Sequence, residues 1–117
     1  MKMRLILIAL FSLCVSCVSN PNAEAHRLAL WNFRYQPDID NEYRIYDSIA
    51  VPFYGDCEDF SLSLQKIIGG DVWVIKLAYL TYHAALVNNG MVYDNRFKRP
   101  MPLSGYSGEF IYIIKDQ

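Results

Sequence analysis

The order of apolar and polar positions divides the chain into an apolar leader, a helix-patterned middle and a strand-patterned second half. Residues 5–15 are almost entirely apolar and follow Lys2 and Arg4. A run of that length is short for a bilayer span and has the flanks of a secretory signal peptide. A polar stretch over residues 18–25 comes next and reads as a tether. Trp31, Phe33 and Tyr35 then alternate with Asn32 and Arg34, which predicts a short extended piece or the edge of a helix. Residues 36–41 contain Pro37 and several turn formers and predict a loop. Tyr43, Tyr46 and Ile49 recur at helical spacing, so a short helix is expected over 42–50, stopped by Pro52.

The clearest helical pattern covers residues 56–68. Asp56 can cap its start, and Glu58 and Asp59 place negative charge where the helix dipole favours it. Cys57, Phe60, Leu64 and Ile67 follow the three-and-four rule and share one face. Gly69 and Gly70 end the helix. From Asp71 the period becomes two. Residues 72–79 and 80–87 are strand-like, with Trp73, Ile75, Leu77 and Tyr79 on one face. Asn88-Asn89-Gly90 signals a hairpin, with residues 91–94 as the return strand. Pro100, Pro102, Gly105 and Gly108 mark a long loop before a last strand over 109–115. Helices first and an antiparallel sheet afterwards predict an α+β domain.

The hairpin carries a register argument. A two-residue turn at Asn89-Gly90 makes His83 face Arg96 and Ala85 face Asp94. His83 and Asp94 then lie on one face as diagonal neighbours, within side-chain reach. Ala85, Val87 and Val92 share that face. Beside His83 these small or apolar residues leave room for a helix, and the Cys57 helix is the expected occupant.

Composition narrows what this arrangement is for. The chain has 117 residues and a formal net charge of −1. Loss of Lys2 and Arg4 makes the remainder more acidic, and no basic run is present, which argues against a nucleic-acid partner. Cys14-Val15-Ser16-Cys17 resembles a bacterial lipobox. The expected organisation is therefore a lipoprotein-type signal peptide over 1–16, lipidation of Cys17, a tether over 17–29 and one domain over 30–117. This places the domain in the cell envelope or periplasm, held to the membrane by its lipid. The alternative is cleavage after Ala23-Glu24-Ala25, which releases a soluble protein beginning at His26. His26 itself reads as a solvated bystander in the tether.

About 100 residues remain after processing, enough for one small core and expected to act as a monomer. Cys57 is then the sole thiol and has no internal disulfide partner. A thiol, an imidazole and a carboxylate in the order Cys57, His83, Asp94 are the parts of a nucleophile, its base and the group that orients the base. The Cys57 backbone N–H at the helix start is a candidate oxyanion donor, with the Tyr54 side chain a second. A buried thiol that only packs is the competing reading. The scattered ligands lack the spacing of a structural zinc site.

Three blocks in order carry a family resemblance. Gly55-Asp56-Cys57-Glu58-Asp59-Phe60-Ser61, His83-Ala84-Ala85-Leu86-Val87 and Val92-Tyr93-Asp94-Asn95 resemble the bacterial transglutaminase-like cysteine proteinases. The resemblance implies a papain-like, transglutaminase-type core and the triad Cys57, His83 and Asp94. It implies hydrolysis of amide bonds in a protein or peptide substrate, with transglutaminase-type acyl transfer as the alternative chemistry. Retention of the fold by an inactive envelope lipoprotein that only binds is the third. Adhesin-cleaving members bind calcium beside the nucleophile, and Asp56 and Glu58 match those positions, so calcium is a candidate cofactor. No cofactor is required by the triad itself. The chain is shorter than those proteins ahead of the motif.

Overall fold

A computed structural model describes residues 20–37 and 42–115. Helix α1 (Pro21–Asn32) opens the fold and runs straight into strand β1 (Phe33–Tyr35). Strand β2 (Phe53–Gly55) leads to helix α2 (Cys57–Ile68). Strands β3 (Asp71–Lys76), β4 (Tyr82–Asn88), β5 (Met91–Tyr93), β6 (Met101–Pro102) and β7 (Glu109–Ile113) follow. They form one antiparallel sheet in the order β6-β5-β4-β3-β7. β1 and β2 make a separate parallel pair. The architecture is α+β, with two helices and a small antiparallel sheet.

Helix α1 corrects the expected tether over 17–29. Asn20 caps it by accepting from the Ala23 N–H at 3.1 Å, and Pro21 fits the first turn, whose N–H would lack a partner. Its inner face is built from small and polar residues, Ala29, His26 and Asn32, all buried. Asn32 Nδ2 donates to the Ile49 carbonyl at 2.9 Å. The face is too polar to announce itself as amphipathic, yet Asn32 Nδ2 and His26 Nε2 find partners inside the fold, while His26 Nδ1 is buried without one. His26 is accordingly no bystander: it is fully buried, edge-on to Phe60 and Tyr93.

The expected helix over 42–50 is also absent. That segment runs along α2 and gives its N–H groups to α2 side chains, Arg44 to Asp59 Oδ1 and Tyr46 to Ser63 Oγ. These acceptors replace the carbonyls a helix would have supplied, so local spacing is overridden. The loop expected over 36–41 lies outside the described residues except for its first two.

Helix α2 forms as its sequence predicts. Asp56 accepts from the Glu58 and Asp59 N–H groups, and Asp59 reaches back to the Asp56 N–H at 3.0 Å, a reciprocal capping box. Phe60 and Leu64 are fully buried in the larger core, with Phe53, Val72, Ala84, Leu86 and Tyr93. Asn89 and Gly90 have φ of 54° and 78°, as a two-residue hairpin turn requires. The ladder pairs Asn88 with Met91, Val87 with Val92 and Leu86 with Tyr93, the expected register. It stops there. Asp94 takes the Arg96 N–H at 2.8 Å in a side-chain-closed turn, so Arg96 never becomes a strand partner facing His83.

The sheet has two apolar faces, which changes the expected packing. α2 lies on the face carrying Val72, Ala84, Leu86 and Tyr93. Ala85 and Val92 point the other way, into a smaller cluster with Ile75 and Tyr106. The helix therefore covers the face opposite to the one that carries His83 and Asp94. Both faces are apolar enough to accept it. Alternation fixes which residues share a face, but not which face is covered.

Candidate active site

The nucleophile candidate is placed by four elements. β1 pairs with β2 and fixes the approach to Gly55. A Cβ on Gly55 would stand 2.5 Å from Asp59 Cβ, so only glycine lets the chain pass this close to the cap. Cys57 is the first residue of α2 and is half-buried. Ser61, one turn on, donates to the Ala84 carbonyl of β4 at 3.3 Å. The Ala84 N–H is in turn directed at the Cys57 sulfur. Ala84 of β4 thus holds the start of α2 through its carbonyl.

His83 and Asp94 meet as the register argument expects. His83 Nε2 lies 2.8 Å from Asp94 Oδ1. Asp94 is fully buried and His83 nearly so. Burial alone would raise the Asp94 carboxyl. Hydrogen bonds from His83, Arg96 and Tyr106 overcome that and hold it well below the ordinary carboxylate range. Arg96 reaches Asp94 Oδ2 through Nε at 3.2 Å and Nη2 at 2.9 Å, and the Tyr106 hydroxyl donates to Oδ2 at 2.6 Å. An ionised carboxylate only accepts, so His83 Nε2 carries the proton and Nδ1 is left as the basic nitrogen.

Three of these supports are invisible to motif spacing. Arg96 and Tyr106 come from irregular segments after β5, and His26 Nε2 donates to the Asp94 carbonyl at 2.9 Å from sixty-eight residues upstream. Arg96 beside the Asp94-Asn95 pair was the nearest available signal, since Asp and Asn favour turns that fold the following residue back. Burial lowers the His26 pKa, a shift opposed by its bond to the Asp94 carbonyl.

Cys57 joins this group only through the backbone. His83 pairs with Ile75 and enters from the second face, whereas Cys57 packs on the first. The two flank consecutive residues of β4. No hydrogen bond between the His83 ring and the thiol is among those formed by the described residues. Burial, then the nearby Glu58 carboxylate, push the thiol up to about 12, against the effect of the Ala84 N–H. The resting sulfur is a thiol, not a thiolate.

Both oxyanion candidates are placed. The cap engages the N–H groups of Glu58 and Asp59 and leaves that of Cys57 unengaged. Tyr54 is exposed on β2, and its carbonyl accepts from the Tyr46 hydroxyl. Grooves of about 330 to 660 Å³ among the described residues include four whose linings contain neither Cys57 nor His83.

The acidic residues around the thiol are heavily committed to protein donors. Asp56 Oδ1 holds the cap, and both Asp59 oxygens accept backbone N–H groups. Burial first, then the neighbouring Asp56 carboxylate, raise Glu58 to about 7. Asp56 and Glu58 are two donors where a calcium shell takes six to eight. Among the described residues no group of three or more acidic, His or Cys side chains could hold a metal. Asp56 and Glu58 would need backbone carbonyls and waters to complete a calcium shell. No helix of the described residues is long and apolar enough to cross a membrane.

No protein-family model, curated protein or solved structure matches this chain.

Proposed function

We propose that the chain is an exported cysteine hydrolase that cleaves amide bonds through Cys57, His83 and Asp94, on a papain-like, transglutaminase-type core. The observation that carries the reading is the buried His83–Asp94 pair, 2.8 Å apart, next in the chain to Ala84, whose carbonyl accepts the Ser61 hydroxyl of the helix that Cys57 begins. A packing-only cysteine gives no reason for an imidazole with a fixed tautomer one residue away. The three sequence blocks that resemble transglutaminase-like cysteine proteinases support the same assignment.

The chemistry follows from the proton positions. The Cys57 sulfur attacks the acyl carbon while His83 Nδ1 takes the thiol proton. Concerted transfer is required, because a thiol raised to about 12 supplies almost no free anion at neutral pH. The mechanism requires the ring to come within hydrogen-bond reach of the sulfur in the substrate complex. The Cys57 N–H stabilises the oxyanion. His83 then protonates the leaving amine, and water cleaves the thioester with His83 again as base. An amine in place of water gives the acyl-transfer alternative.

Trapping the acyl enzyme tests the proposal. Incubation with an activated aryl ester is expected to place an acyl group on Cys57, read by mass spectrometry of the intact protein. Cys57→Ala abolishes the adduct and His83→Ala slows it by ~10²–10⁴-fold, the usual worth of a positioned base. Equal acylation rates in the native and His83→Ala proteins would reject catalysis. The second reading is an envelope protein that keeps this fold for binding. The raised thiol and the lack of a ring-to-sulfur hydrogen bond favour it, and it predicts that null result.

The export reading is a proposal of the same standing. Lipidation at Cys17 leaves α1 whole, since its cap is Asn20. Cleavage before His26 would cut α1 through its middle, so an acylated Cys17 is expected at the mature N-terminus. Mass spectrometry of the envelope-purified protein decides between the two.

A further inference from the structure

The outer face of α1 ends in a feature the proposed chemistry does not use. Trp31 is 79% exposed, and Leu28 beside it on the helix is 42% exposed. Together with Leu30, Met91, Lys98 and Arg99, Trp31 lines an open groove of about 660 Å³ whose edge is Asn20. Arg27 at this groove is neutralised by Glu24. Lys98 and Arg99 have no ion-pair partner among the described residues, and Arg34 spends its guanidinium on the Trp31 and Phe33 carbonyls at 3.0 and 3.1 Å. A protein of net negative charge thus gathers uncompensated cations around an exposed indole.

The position of the groove along the chain says what covers it. Cys17 stands three residues before Asn20 and Val15, the end of the apolar run, stands five before it. Fully extended, those intervals span roughly 10 Å and roughly 17 Å. Whichever of the two is held in the bilayer, the Asn20 edge of the groove lies within that distance of the lipid surface, and Trp31, further along the same helix, within roughly 17 Å more. Indole rings prefer the membrane interface, and Lys and Arg side chains extend their charges toward phosphates.

We propose that this groove docks the domain on the membrane that tethers it, with Trp31 among the headgroups and Lys98 and Arg99 on the phosphates of anionic phospholipid. The inference rests on the reading of residues 1–17 as membrane-directed. Docking turns the tether from a leash into one of two attachments and sets the domain in a fixed orientation on the lipid.

The test uses the full chain reconstituted in vesicles of equal parts phosphatidylcholine and brominated phosphatidylglycerol. Trp31 fluorescence is expected to be quenched, and Trp31→Phe, which leaves Trp73 as the remaining indole, removes the quenching. Lys98→Glu with Arg99→Glu weakens docking by at least about fivefold for each cation lost. Protein that floats with the vesicles while Trp31 stays unquenched overturns docking and leaves the anchor standing. Protein that does not float overturns both. Equal quenching in brominated phosphatidylcholine alone overturns the anionic preference. Concentration-dependent shielding of Trp31 in lipid-free detergent overturns the lipid assignment in favour of a second copy of the chain.

Discussion

Asp94 is the residue on which most of the site's order depends. Its carboxylate takes donors from β4, from the turn that follows it and from Tyr106, and its carbonyl takes one from α1. Hydrogen bonds to a buried charge are worth about 1.5–3 kcal/mol each. Tyr106→Phe is therefore expected to lower stability by about 2 kcal/mol, read as a shift in urea midpoint at unchanged slope. His26 adds a pH dependence with a definite sign. Its folded pKa lies below the ordinary 6.5, so the unfolded chain binds the extra proton and His26's contribution is lost as pH falls below that value. The His26→Gln variant should lose less stability than the native protein between neutral pH and pH 5, measured by denaturant titration. Asp94 acts lower down, since its depressed pKa costs stability only once pH falls below the ordinary carboxylate value of 3.8. Much of this was legible. Strand alternation and the Asn89-Gly90 turn were enough to bring His83 to Asp94. The support from His26 was not, because one histidine in a polar stretch looks the same whether it is solvated or buried.

Helix α2 shows why local sequence suffices in some places. Capping acids, an apolar face and terminal glycines all agree, and the element forms where its pattern ends. The cap is tight. Gly55→Ala would drive a methyl group into the Asp59 side chain that closes the capping box. The expected cost is about 2 kcal/mol or more, from overpacking and loss of the cap together, visible as a lowered melting temperature. Gly55→Ala should also slow acylation of Cys57, since the thiol is the next residue but one. Residues 42–50 show the opposite case. Helical spacing was present, but Asp59 and Ser63 on the neighbouring helix offered their oxygens to Arg44 and Tyr46, and no local pattern encodes an acceptor from another element. The covered face of the sheet was hidden for a related reason. Trp73 and Ile75 on one side and Val72 and Val74 on the other are both apolar, so helix placement is decided by tertiary fit.

At the scale of the whole molecule, α1 separates what can be read from what must be seen. Its sequence suggested a spacer, yet it closes the core over Phe60 and Tyr93. Exchange of α1 amide hydrogens should accordingly be as slow as that of α2, and a chain beginning at His26 should lose that protection in both helices. The same contact orders events in time. The His26–Asp94 bond joins residues separated by sixty-eight positions. Synthesis runs from the N-terminus at about 5–20 residues per second, so α1 waits for several seconds before its partner strand exists. During that interval α1 has no Asp94 carbonyl to bond and no Tyr93 to cover it. Such a delay makes docking of α1 a late step in folding, and it suits the export proposed for the chain, which needs a polypeptide not yet folded.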